Sequence, residues 1–146
     1  MMGLIKRALA VFLLSLMVLV SGCIPTGQTF SPVTDISANN ATIYVYRPYN
    51  MVGGANLYTV LVDNKEMGKL VNGAYLPVVV SPGTHKVELK QDTLLIKGYE
   101  HEITLQSLAV NPSYLRFGSK WAGGKAGLVK VEESMALPEL EKCKKY

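Results

Sequence analysis

The sequence predicts an all-β domain, a small antiparallel β-sandwich with a short helix at its C-terminal end. Turn-forming residues recur roughly every eight to twelve positions, and the runs between them are short and rich in Val, Ile, Leu and Tyr. No long segment repeats its apolar residues with a helical period. Many short strands with regular turns are the pattern of two packed sheets.

Taken in order, "ATIYVYRP" (Ala41 to Pro48) reads as a strand ended by proline, and "LYTVLVDN" (Leu57 to Asn64) as a second strand running into an Asp-Asn turn. "EMGKLV" (Glu66 to Val71) returns from that turn as the far arm of a hairpin. "YLPVVV" (Tyr75 to Val80) leads to "SPGT", where Pro82 presets the second position of a type II turn and Gly83 supplies its positive φ. In "HKVELK" (His85 to Lys90), His85, Val87 and Leu89 alternate with Lys86, Glu88 and Lys90, as on a strand with one wet face. Further strands are expected at Leu94 to Lys97, Glu100 to Leu105, Tyr114 to Phe117 and Leu128 to Val131. Pro138 suits a first helical position, and Leu137, Leu140 and Cys143 repeat every three residues, so a closing helix is expected to cap one open end of the sandwich.

Ahead of this domain stand Lys6 and Arg7, then the thirteen residues Ala8 to Val20, with Ser15 the one polar member. A membrane-spanning helix needs about 20 apolar residues, whereas a run of this length fits the core of a signal peptide. Val20, Ser21 and Gly22 lead into Cys23, and small residues before a cut are what a signal peptidase requires. This order resembles the bacterial lipoprotein signal, the lipobox. The resemblance implies that Cys23 takes a diacylglycerol on sulfur, becomes the new N-terminus and is acylated on its amine. Two or three acyl chains anchor firmly where one is marginal. Ile24, in place of an aspartate, favours by the same resemblance an outer-membrane destination facing the periplasm.

The expected organisation is therefore a signal peptide over residues 1–22, a lipidated Cys23 with a flexible tether over 23–40, and a sandwich domain over 41–146. "IPTGQTFSPVTDISANN" (Ile24 to Asn40) has a linker composition, and its seventeen residues reach at most about 55 Å when extended. The formal charge of +4 loses Lys6 and Arg7 with the signal, so the mature domain is close to neutral. Nothing in such a balance suggests a basic stripe that tracks nucleic-acid phosphates. With Cys23 acylated, Cys143 has no intrachain partner, which excludes a disulfide framework and leaves an interchain disulfide through an exposed, lysine-flanked thiol open.

A second resemblance rests on Ala41-x-x-Tyr44-Val45-Tyr46-Arg47-Pro48, Val60-x-Val62-Asp63, Gly68-x-Leu70, Asn72-Gly73-x-Tyr75 and Pro82-Gly83-x-His85, followed by "NPSYLRF" and "LVKVEES". These residues resemble a bacterial lipoprotein family classified as a domain of unknown function, over roughly residues 41 to 140. The middle portion is similar to PEGA-type modules, which are transthyretin-like sandwiches. The resemblance implies a location and a fold, and no activity.

No catalytic, metal or cofactor set assembles from the sequence. His85 and His101 each share a strand face with apolar residues, as packing histidines do. Glu100 and Glu102 fall on one strand face and His101 on the other, so the three cannot close on one ion. "GSKWAGGKAG" (Gly118 to Gly127) fails as a phosphate loop, since Ser119 and Ala126 occupy positions that need glycine and Ser or Thr. The expected function is a non-catalytic binding or assembly module, anchored in membrane lipid through Cys23 and meeting an envelope protein partner. The alternatives are a small inhibitor or immunity lipoprotein and an envelope hydrolase. Arg47, Tyr49 and Met51, in the loop between the first two strands, and Trp121, in the glycine-rich connector, are the candidate contact residues.

Overall fold

The computed structural model describes residues 27–33, 39–51, 53–92, 100–119 and 126–146. Cys23, the strand expected at Leu94 to Lys97, and Trp121 lie outside the described residues. The strands are β1 (Ala41–Arg47), β2 (Leu57–Val62), β3 (Lys65–Leu70), β4 (Ala74–Val80), β5 (Gly83–Asp92), β6 (Glu100–Ser107), β7 (Ser113–Ser119), β8 (Ala126–Val131) and β9 (Lys144–Lys145), with one helix, α1 (Glu133–Leu140), before β9. They form two sheets, ordered β8-β7-β1-β4-β9 and β3-β2-β5-β6. The chain is an all-β sandwich with one short helix.

β2 and β3 form the expected hairpin, closed by Asp63 at φ 50° and Asn64 at φ 67°. Two successive left-handed residues make the tight turn whose twist matches the flanking strands, and Asp and Asn tolerate that conformation. One expectation is corrected here. The five-stranded sheet is mixed rather than antiparallel, because β1 runs parallel to β7 and β4 parallel to β9. β7 arrives from β6 in the opposite sheet, and β9 arrives by way of α1, so neither is joined to its neighbour by a hairpin.

The main core fills the space between the sheets. Ile43, Val45, Val78, Leu115 and Phe117 from one sheet meet Tyr58, Val60, Val62, Val87 and Leu89 from the other, all nearly inaccessible to water. Strand alternation sends the intervening residues of β1, Tyr44 and Tyr46, to the outer face of the five-stranded sheet, and these are also buried. A third layer covers them, composed of Ala136 and Leu140 of α1, Cys143 beyond it, and Phe30 and Val33 from the segment before β1.

Two further expectations change as a result. α1 begins at Glu133 and lies over the outer face of a sheet, where it buries aromatic surface; it does not cap an open end. Pro138 sits inside α1, where its missing N–H forfeits one bond, to Ser134, while its ring faces solvent. Part of the expected tether is likewise docked. The Phe30 ring meets Tyr44 and Tyr75 edge-on at 5.4 and 5.3 Å, and the Val33 amide donates to the Tyr44 hydroxyl at 2.7 Å. Burying Phe30 offsets the entropy of ordering the backbone around it.

The Ser81-Pro82 corner carries the chain from β4 in one sheet to β5 in the other, and Gly83 has the expected positive φ, at 152°. The corner is not a type II turn: Gly83 already pairs with Ser107 as the first residue of β5, and the Ser81 carbonyl accepts from His85. A valine at 83 would be held in a region that L-residues rarely adopt, at a cost of about 1 to 3 kcal/mol. Gly83→Val is expected to lower the melting temperature by roughly 4 to 12 °C, checked by thermal unfolding followed by circular dichroism. An unchanged melting temperature would show that the corner relaxes without strain.

Candidate functional site

The loop between β1 and β2 is held from below by Arg47. Its side chain is on the inner face of β1, 5 % exposed, with the guanidinium 5.3 Å from the Tyr58 ring centre and 5.9 Å from that of Phe117. Its nitrogens donate to the Asn56 carbonyl at 2.7 Å and the Gly53 carbonyl at 2.6 Å. No acidic side chain pairs with it among the described residues. Two aromatic faces and two backbone oxygens supply its counter-charge instead. Arg47 therefore organises the loop from within and presents no charge to a partner.

Asn72, buried in the corner between β3 and β4, ties the same loop from the side. Its Oδ1 accepts from the Asn50 amide and its Nδ2 donates to the Asn50 carbonyl, both at 2.9 Å. Between these two fixings Tyr49 and Met51 stand out at 73 % and 86 % exposure. Opposite them lies the segment after α1, where the Lys144 amide donates to the Gly73 carbonyl at 2.9 Å. Loop, corner and C-terminal segment together enclose an open cavity of about 720 Å³. Tyr49 and Met51 line one wall and Lys142, Lys144 and Tyr146 another, with Leu57 and Val71 adding apolar surface. Among the described residues no aspartate or glutamate lines it. A concave, mainly apolar space of this size with a few polar groups is the usual form of a binding site.

The tail "KCKKY" carries no periodicity that predicts this role. The one usable signal is the Leu137, Leu140, Cys143 spacing, because burial of those residues brings Lys142 and Lys144 to the cavity. Cys143 is fully buried, its thiol facing the Glu139 carbonyl at 3.4 Å, and burial pushes it up to about 11. A buried neutral thiol does not meet the condition, exposure beside the lysines, on which an interchain disulfide depends.

The other chemically capable groups are committed elsewhere. Lys69 contacts the Thr59 hydroxyl at 2.6 Å, but Asp92, also at 2.6 Å, holds its ammonium above the usual lysine range, so it is a poor base for that hydroxyl. Glu102 and Glu100 take Lys86 and Lys90 as ion partners, and His101 packs against Phe117, where burial lowers its affinity for a proton. No group of three His, Cys, Asp or Glu side chains is placed to hold a metal ion among the described residues.

A family profile matches residues 37–127, well over half of the chain. The chain belongs to the DUF2846 family. That family is described as a protein of unknown function. No curated protein and no solved structure matches the chain. The DUF2846 match covers β1 to β7 and reaches the start of β8, and so includes the loop with Tyr49 and Met51. The turn after α1 and strand β9, which supply Lys142 and Lys144 of the lysine wall, follow it in sequence.

His85, on β5, joins the β2–β3 turn to the corner after β4. Its Nδ1 lies 2.7 Å from the Asp63 carboxylate and its Nε2 2.7 Å from the Ser81 carbonyl. Both partners only accept, so both contacts are hydrogen bonds only when the ring carries two protons. Burial alone would lower the imidazole, yet Asp63 and Ser81 hold it above its ordinary 6.5, while His85 and the Lys86 amide hold Asp63 below its ordinary 3.8. The stability from a raised histidine is fully present below about pH 6.5 and is lost as pH rises through the folded value. The Asp63 contribution runs the other way, present above about pH 3.8 and lost on acidification. His85→Gln is therefore expected to lower the melting temperature most near pH 6 and progressively less toward about pH 9, read by thermal unfolding of both proteins across that range. A difference independent of pH would show that His85 is neutral in the fold.

Proposed function

We propose that this protein is a bacterial envelope lipoprotein, held to the membrane by acyl chains on Cys23, whose PEGA-like or transthyretin-like sandwich acts as a non-catalytic binding or assembly module. The order of basic start, short apolar core, Val20-Ser21-Gly22 and Cys23 supports the anchor. Ile24 after the cysteine supports an outer-membrane site facing the periplasm. Among the described residues no helix is long and apolar enough to cross a membrane. The observation that carries the binding role is the cavity wall formed by Tyr49 and Met51, which expose apolar side chains on a loop fixed by Arg47 and Asn72. A fixed loop with exposed aromatic and thioether groups meets a partner with little loss of conformational freedom.

The anchor is tested by growth with labelled palmitate, which is expected to enter the wild-type protein and to be absent from Cys23→Ala. Label that persists in Cys23→Ala would assign acylation to another residue. For the binding role, the double variant Tyr49→Ala with Met51→Ala is expected to change stability by less than about 0.5 kcal/mol, since both side chains are in water, and to lose crosslinks to envelope protein. Crosslinks that survive the double substitution would sink the assignment of this loop as the contact surface.

A further inference from the structure

The chain enters the described structure at Gly27, alongside β9. Thr29 bridges Lys144 and the Lys145 amide donates to the Gln28 carbonyl at 2.8 Å. A β-carbon at Gly27 would overlap the Lys145 carbonyl, so the two backbones are in direct contact. Four peptide units separate Gly27 from Cys23, a reach of at most about 14 Å when fully extended. The headgroup layer of a bilayer alone occupies about 5 to 7 Å of that. If Cys23 carries the anchor, the β9 edge cannot leave the membrane surface.

This edge also has unusual electrostatics for the molecule. On the four-stranded sheet Lys69, Lys86 and Lys90 each have a carboxylate partner. Lys142, Lys144 and Lys145, like the isolated Lys65 and Lys130, have no ion partner among the described residues, but here three such lysines fall within four residues, with Glu141 adjoining them in sequence. Tyr146 stands beside them at 56 % exposure, an aromatic of the kind favoured at headgroup level.

We propose, resting on the lipoprotein reading above, that the β9 edge docks on the anionic headgroups of the bilayer that holds the Cys23 anchor, with Lys142, Lys144 and Lys145 as its contacts. The short reach brings these ammonium groups close to the surface, where the screening length is about 8 Å at physiological salt. Each lysine near an anionic surface favours the docked state about fivefold. The lysine wall of the cavity then rests on the membrane, and a partner that meets Tyr49 and Met51 approaches along the bilayer.

The test uses acylated protein reconstituted into vesicles of phosphatidylcholine alone or with one-third phosphatidylglycerol, probed with an amine-reactive reagent and read by peptide mass spectrometry. Labelling of Lys142, Lys144 and Lys145 is expected to slow by about tenfold in the anionic vesicles relative to Lys65 on β3, and to recover in about 0.5 M salt. Equal labelling in both vesicles, with the protein still floating alongside the lipid, would overturn the docking while leaving the anchor intact. Protein that fails to float and carries no acyl mass on Cys23 would overturn the anchor, and the docking with it. Protection that appears only on adding envelope protein, in either lipid, would replace the headgroups with an acidic protein partner.

Discussion

The fold depends on β1 being buried on both faces. A strand in an ordinary sandwich hides one face and wets the other, but β1 sends Ile43 and Val45 into the inter-sheet core and Tyr44 and Tyr46 into a second one. Each tyrosine brings a large apolar area and a hydroxyl that needs a partner. The Tyr44 hydroxyl accepts from the Val33 amide, and the Tyr46 hydroxyl donates to Glu139 of α1 at 2.8 Å. Glu139 also accepts from Arg116 of β7, at 2.9 and 3.1 Å, so one carboxylate ties the helix to two neighbouring strands.

The outer layer follows from that requirement. Covering Tyr44, Tyr46, Tyr75 and Tyr114 takes the helix, Cys143 and Phe30, drawn from opposite ends of the described chain. Bringing those ends together places β9 beside the Gly27 to Thr29 segment and along β4. The cavity is a product of the same arrangement, since its lysine wall is the chain that emerges from the outer layer. Its other wall is the β1–β2 loop, which starts where β1 ends, at Arg47. One doubly buried strand thus sets the positions of both walls.

Charge is handled differently in the two halves of the molecule. The outward face of the four-stranded sheet pairs Lys86 and Lys90 with glutamates across strands and Lys69 with Asp92, which leaves little net field there. At the end near Arg47 this buried cation is neutralised by carbonyl and ring dipoles, and the lysines of the C-terminal segment have no ion partner among the described residues. The result is a domain close to neutral overall with a local positive edge.

By itself the sequence determined the local features: strands β1 to β8, the β2–β3 hairpin, the positive φ at Gly83 and the all-β class. Each rests on alternation or turn chemistry within a few residues, which is why it was legible. Tyr49 and Met51 were also legible as loop residues, because Pro48 and Gly53-Gly54 mark a loop without any knowledge of its surroundings. The tertiary structure alone decided the rest. Arg47 ends inside the sandwich because strand parity and the rings of Tyr58 and Phe117 set its direction, and neither ring is near it in sequence. α1 lies on a sheet face because Tyr44 and Tyr46 need cover, a demand made almost a hundred residues earlier in the chain. Lys142, Lys144 and Asn72 reach one cavity only after non-local pairing of β4 with β9, and no short-range pattern encodes a contact between segments so far apart in the chain.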